Sequence, residues 1–385
     1  MEKKIVTDYL VTLIMVIFCL PLAFAFIPIN DLNLKGVTVE ITKPEWKQDD
    51  WLSGEFQKKF EWFFDYNLGF RKAGVRTANQ INYWLGVQRK EVIVGKENEL
   101  MGGEYIDAYY GKDFLGEDSI RRIITRLASF KTELENKGTR FFVVLAPSKT
   151  RLYPDRIPDA FRRKETVTTN YDFFVNGLKD ANIPTINFQD WFSILDKKSP
   201  YPLFSNLGIH WSAYSSTIAT DSLLGYMGQL LGKKVNRIGF KEIATSYDAL
   251  DTDKDMLELM NLWYPIALNK PLGYFKTELN ESPESYRPSV LTVGDSYYWN
   301  VIYTGVPARY FADGSVYLYY NSTAYFKNGS SVPVSQLDIL KMLKGKDIVM
   351  FIYSEPNLCR FGNGIDSAYL SLLQKDSLSG NVIHE

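Results

Sequence analysis

The chain has 385 residues, enough for a large core and for more than one domain. Its 44 Lys and Arg balance 45 Asp and Glu, and no basic stripe stands out, so there is no electrostatic footprint for nucleic acid. Two His and two Cys are too few for a zinc site of the usual ligand types, and Cys19, inside an apolar run, makes no plausible bridge to Cys359.

At the N-terminus Lys3 and Lys4 precede an uncharged run from Tyr9 to Pro28. Twenty such residues suffice to span a bilayer with the basic end in the cytoplasm. Pro21 followed by "AFA" also resembles a signal-peptide cleavage site. A retained anchor over residues 1–28 is the reading adopted, and both readings export the protein. Residues 29–52 read as a polar, Pro-containing stem and 53–385 as one domain, with a helical and hairpin lead-in over 53–116. There, "SGEFQKKFEWFFDYNLGFR" repeats Phe56, Phe60, Phe63 and Phe64 at helical spacing, with Ser53 as N-cap and Gly69 as stop. A second helix runs to about Leu85, and "KEVIVGKENELM" reads as strand, turn and strand.

From Glu117 the pattern changes. "EDSIRRIITRLASFKTELENKG" places Ile120, Ile123, Ile124, Leu127, Phe130 and Leu134 on one helical face, with Gly138 beyond its end. "RFFVVLAP" follows as a buried strand, then a helix near Tyr171–Ala181, the short strand "TINF" and a helix after Trp211. "DTDKDMLELMNL" from Asp251 has acids at positions one, three and five but lacks the Gly and final Glu of a calcium loop, and reads as a helix start. The strands "PSVLTVGDS", "SVYLYY" and "DIVMFIY" complete the pattern, with helices between them. Apolar strands alternating with helices predict an α/β fold, a parallel sheet with helices on both faces and function at the strands' carboxyl ends.

Two short stretches carry chemistry. His210, in "NLGIHWSAY", is one of two histidines, and the other is His384. It precedes a helix, so it projects from a loop where working residues sit, although a half-buried His beside Trp211 is the plainer reading. In "SVLTVGDSYYWN" a strand runs through Gly294 and Asp295 to Ser296, which opens a helix. Free backbone N–H groups there favour developing negative charge, so Ser296 can attack a carbonyl with its own amide as part of an oxyanion hole. Ser and Asp are also ordinary N-caps. A serine nucleophile needs a base, and His210 is the one interior imidazole.

With these motifs in order, the chain resembles the AlgX/AlgJ-like family of SGNH-hydrolase-like O-acetyltransferases. "FEWFFDYNLGFR" is similar to the family's opening helix, "VIVGKENELM" to its Val-x-x-Gly-Lys turn, and "VVLAPSKTRLYPDRIP" to its Pro-x-Lys strand end. "GIHWS" stands where the family has Asp-x-His-Trp, and "GDSY" where it has its serine. The resemblance implies an SGNH-like, flavodoxin-like fold in a circularly permuted motif order, with His210 before Ser296. It departs at Gly208, which replaces the family's acid two residues before the histidine. Asp190, Glu355, Asp295 or a backbone carbonyl are the alternatives for orienting His210. Asn321 and Asn357 follow later strands and are candidate oxyanion donors beside Ser296. Lys149, Arg151, Trp211 and Tyr297 are candidate glycan-binding residues.

The implied function is an exported, membrane-anchored carbohydrate O-acetyltransferase of the bacterial cell envelope, its domain outside the cytoplasmic membrane. It would act on a polysaccharide or oligosaccharide acceptor, with acetyl supplied by an MBOAT-type membrane partner and no cofactor. The alternatives are an acetylesterase on the same site or, because of Gly208, an impaired polysaccharide-binding or scaffold subunit.

Overall fold

A computed structural model describes residues 2–24, 33–36, 42–67, 69–163 and 168–380. Residues 29–32 and 37–41 of the expected stem, Pro28 and His384 lie outside these residues. Two compact units are formed, one by residues 1–88 with 257–266, the other by 89–256 with 267–385.

The first unit is helical, with helices Glu2–Phe24, Gln48–Ser53, Glu55–Asn67 and Arg71–Trp84. Ser53 closes a short helix rather than capping the next, because Gly54 takes the left-handed conformation (φ 82°) and breaks the chain's course there. Phe56, Phe60 and Phe64 do lie along one helical face, with stacked rings. Among the described residues no helix is long and apolar enough to cross a membrane.

The second unit holds eleven strands among its described residues: β1 (Ile93–Val94), β2 (Leu100–Met101), β3 (Arg140–Leu145), β4 (Thr185–Asn187), β5 (Gly239–Ser246), β6 (Leu272–Glu278), β7 (Val290–Gly294), β8 (Val316–Tyr319), β9 (Thr323–Phe326), β10 (Ser331–Pro333) and β11 (Ile348–Tyr353). β1 and β2 are the expected hairpin around Gly95. The main sheet runs β10-β9-β8-β7-β11-β3-β4. Its five strands β8, β7, β11, β3 and β4 are parallel. β9 and β10 then extend it antiparallel, so the sheet is mixed rather than wholly parallel. Counted from β7, the parallel strands lie in the order 2-1-3-4-5 of a doubly wound sheet, with the chain entering at the fourth strand. The permuted order of the motifs is thus an order of strands, and the switch point falls between β7 and β11.

Helices cover both faces, as alternation along the strands requires. Phe141 packs edge-on to Phe130 of helix Glu117–Asn136, while Phe142 points the other way to Tyr226 of helix Ala213–Leu231. Phe130, Phe141, Val293, Leu318 and Phe351 belong to one buried cluster. β5 and β6 pair antiparallel as a separate two-stranded sheet, and the chain between them contains helix Asp255–Met260.

Candidate active site

Ser296 and His210 meet at the carboxyl edge of the sheet. The β7 strand ends at Gly294, which tolerates no side chain, because a Cβ there would collide with the Ile352 carbonyl of β11. Its value is this close approach and not a left-handed turn. Ser296 then caps helix Tyr297–Tyr303, and its Oγ lies 2.8 Å from His210 Nε2. No hydrogen bond from the Ser296 amide is present among the described residues, which leaves that N–H available to an oxyanion.

The far nitrogen of the imidazole is held by Asp255. Its Oδ2 makes a very short contact with His210 Nδ1, and its Oδ1 accepts from the amides of Ile209 (2.9 Å) and Met256 (2.7 Å). A carboxylate fixed by two amides fixes the ring, and an acceptor at Nδ1 leaves Nε2 free to take a proton from serine. Burial alone would pull the His210 pKa down, but the Asp255 charge and hydrogen bond outweigh it and hold the imidazole above its ordinary value. The ring keeps 13% of its surface exposed.

None of the three expected acids occupies this place. Asp190 is exposed in the first turn of the helix that Asn187 caps, and its carboxylate accepts from Asn187 Nδ2 and the Tyr171 hydroxyl. Glu355 is buried against Arg151, whose Nε stands 3.0 Å from Oε1. Asp295 is fully buried and braces the switch point: its Oδ2 accepts from Ser354 N (2.7 Å), Ser354 Oγ (2.6 Å) and Asn357 Nδ2 (2.9 Å). The Gly208 position explains the departure. A Cβ there would stand 2.6 Å from the Thr252 carbonyl oxygen, so the backbone of the Asp251–Lys254 turn fills the space an acid at 208 would need, and the next helix brings Asp255 instead. The acidic run from Asp251 starts a helix as expected, and its fifth residue is the acid that sequence reasoning missed.

The other candidates fare unevenly. Asn357 donates to Asp295 and Tyr320, and Asn321 donates to the Asn363 carbonyl; among the described residues neither is hydrogen-bonded to Ser296. Trp211 and Tyr297 are completely buried and form the wall behind His210, with the Tyr297 ring 4.9 Å from the imidazole and its hydroxyl donating to Ile209 O. They cannot meet a glycan. Lys149 is equally buried, and its three protons go to Glu99 Oε1 (2.7 Å), Leu100 O (2.8 Å) and Gly208 O (2.7 Å). It is an internal strut beneath the His210 loop, and desolvation lowers its pKa against the pull of Glu99. Arg151 is committed to Glu355 and lies over the Tyr171 ring at 4.4 Å. Among the described residues no cluster of three His, Cys, Asp or Glu is placed to hold a metal.

Residues 107–271, which include His210 and Asp255, match the family model described as the SGNH hydrolase-like domain of acetyltransferase AlgX. A curated relative, the probable alginate O-acetylase AlgJ of Pseudomonas syringae pathovar tomato, is 27% identical over 109 residues, 28% of this chain. The match spans about a quarter (27%) of that relative's length. Among solved structures, the O-acetyltransferase domain of Pseudomonas putida AlgJ aligns with 70% of this chain and 93% of its own, at 16% identity and a TM-score of 0.46. Pseudomonas aeruginosa AlgX aligns over 72% and 67% at 14% identity, with a TM-score of 0.44.

Proposed function

Because the chain carries an AlgX/AlgJ-like SGNH hydrolase-like domain, we propose that it is a carbohydrate O-acetyltransferase working through a serine nucleophile. The observation that carries this reading is the hydrogen-bonded series Ser296–His210–Asp255 at the switch point of the sheet. His210 Nε2 takes the Ser296 proton as Oγ attacks an acetyl ester, and Asp255 stabilises the imidazolium. The oxyanion forms beside the Ser296 amide. Its collapse breaks the ester bond, the imidazolium protonates the departing alkoxide, and acetyl-Ser296 remains. A glycan hydroxyl then gives its proton to His210 and attacks the acetyl group, which returns Ser296 to its free form. With water as acceptor the same steps make an esterase.

The scaffold alternative rested on Gly208, and Asp255 removes its main support. We also assign the domain to the outside of the cytoplasmic membrane, on the strength of Lys3, Lys4 and the uncharged run after them. Described apolar side chains of that helix, such as Leu10, Leu13 and Met15, are exposed. Acetyl would then arrive through an MBOAT-type membrane partner, and the acceptor would be an envelope or extracellular polysaccharide. The test is turnover of a small acetyl ester with and without an oligosaccharide. Ser296→Ala should abolish both hydrolysis and transfer, and undiminished turnover by that variant rules the mechanism out.

A further inference from the structure

The antiparallel extension of the sheet is joined to β8 by a turn of unusual composition. Tyr320 and Asn321 both have positive φ, 49° and 51°. A hairpin turn of that geometry ordinarily takes Asn-Gly, and a bulky tyrosine in the left-handed region is a true outlier. Such strain persists where the surroundings enforce it, and it concentrates at functional sites. Here the surroundings are the nucleophile's own support. Tyr320 N donates to the Gly294 carbonyl at 2.9 Å, and its hydroxyl accepts from Asn357 Nδ2, which also holds Asp295.

Beside this turn lies a group of rings that the chemistry above does not use. Trp299 sits one turn past Ser296, its amide donating to the Ser296 carbonyl at 3.1 Å. Its ring centroid is 4.8 Å from Tyr325, 6.0 Å from Tyr319 and 6.2 Å from Tyr303. Tyr319 in turn lies 4.6 Å from Tyr320. Between them along the strands, Leu318 and Ala324 are buried in the core cluster. The rings are not a second core: Trp299, Tyr319, Tyr320 and Tyr325 are only half-buried, and Tyr303 is 63% exposed. Tyr319 pairs with Gly294 at the carboxyl end of β7, the end that carries Ser296.

We propose that these rings form a stacking shelf for the acceptor glycan, a reading that rests on the transferase function above. Aromatic faces carry negative π density and suit the C–H face of a pyranose, while tyrosine hydroxyls at the rim can bond its hydroxyl groups. None of the five rings has a cationic side chain over it among the described residues, whereas Tyr109, Tyr153 and Tyr171 elsewhere do. Although Trp299, Tyr319 and Tyr325 also pack on the buried Tyr317, no cation competes for their exposed parts, which suits a neutral sugar surface. The shelf begins one helical turn from the nucleophile, so a stacked residue presents its neighbour's hydroxyl to acetyl-Ser296.

The test is calorimetric binding of a neutral glucose tetrasaccharide to the full-length chain. Wild-type and Ser296→Ala proteins should bind it equally, since the shelf does not depend on the chemistry. Trp299→Ala should weaken binding by about tenfold or more, and Trp299→Phe should restore it to within about threefold. Tyr303→Ala, which removes an exposed ring and little packing, should also weaken it measurably even if Trp299→Ala fails to fold. With acetyl donor present, these losses should appear as a higher acceptor KM more than as a lower kcat. Equal binding by Trp299→Ala and Tyr303→Ala, or no binding by the wild type at millimolar sugar, overturns the shelf. Tetrasaccharide binding that follows this pattern in a protein with no ester turnover upholds the shelf and removes the transferase reading alone.

Discussion

Asp255→Asn separates orientation from folding at the proposed site. The asparagine side chain keeps an oxygen where Oδ1 accepts from Ile209 N and Met256 N, so the loop and the start of the helix should hold their places. What changes is the atom facing His210 Nδ1. An amide NH2 there is a donor and requires Nδ1 to accept, which moves the ring proton to Nε2, the nitrogen directed at Ser296 Oγ. A base in the wrong tautomer cannot take the serine proton, and the expected loss in kcat is about four orders of magnitude, roughly 5.5 kcal/mol. The pH profile should move as well. Asp255 outweighs burial and holds the His210 pKa above its ordinary value, and only neutral His210 acts as base, so activity of the wild type rises with pH through that raised pKa. Without the charge, burial dominates and the acid limb should shift to lower pH. Hydrolysis of a small acetyl ester, followed from acid to mildly alkaline pH, reads both effects. A variant within about tenfold of wild type and with an unmoved acid limb would refute the role of Asp255.

Three further outcomes follow from the surroundings. Lys149→Met should destabilise the fold by about 3–5 kcal/mol, because Glu99 loses a buried partner and the Gly208 carbonyl its donor; chemical denaturation measures it. Gly208→Asp, which would restore the family's acid, should lose activity and about 1–3 kcal/mol of stability, since its Cβ meets the Thr252 carbonyl oxygen; a gain in rate would contradict the geometry. The Asp253 carboxyl, fully buried, is pushed up to about 7 by desolvation, so the native state favours its protonated form and loses stability as pH rises from the ordinary carboxylate range through 7. Asp253→Asn should therefore be more stable than wild type at pH 8, by up to roughly 4 kcal/mol, with little difference at pH 4; thermal unfolding at the two pH values decides it.

The parts of this fold that could be read in the sequence are those whose burial is uniform. β3, β7 and β11 are covered on both faces, and their nearly continuous apolar runs announce it. Helix Glu117–Asn136 shows its buried stripe at regular spacing, with Ile123 at the edge. β9 and β10 are short and joined by polar residues, so nothing local distinguishes them from a loop. At the site, Ser296 and His210 were legible because each stands at an element boundary in a chain with almost no other imidazole. Asp255 was not, because its contact with His210 closes a loop of 45 residues and depends on where the chain between β5 and β6 returns. Lys149 misled for a related reason: lysine is seldom fully buried, and only the joint placement of Glu99 and two carbonyls makes its burial tolerable. Residue type alone points Trp211 and Tyr297 toward a sugar, whereas packing sets their place behind His210.

The central claim is that Ser296 carries the acetyl group, and trapping it is the direct test. The full-length protein would be mixed with a small acetyl ester, quenched in acid within the first turnover, digested and analysed by mass spectrometry. The peptide containing Ser296 should gain the mass of one acetyl group in the wild type and accumulate it when acceptor is withheld. It should lose that mass when an acceptor oligosaccharide is added, with the acetyl group appearing on the sugar. Acetylation at another residue, or sugar acetylation by Ser296→Ala at the wild-type rate, would contradict the account.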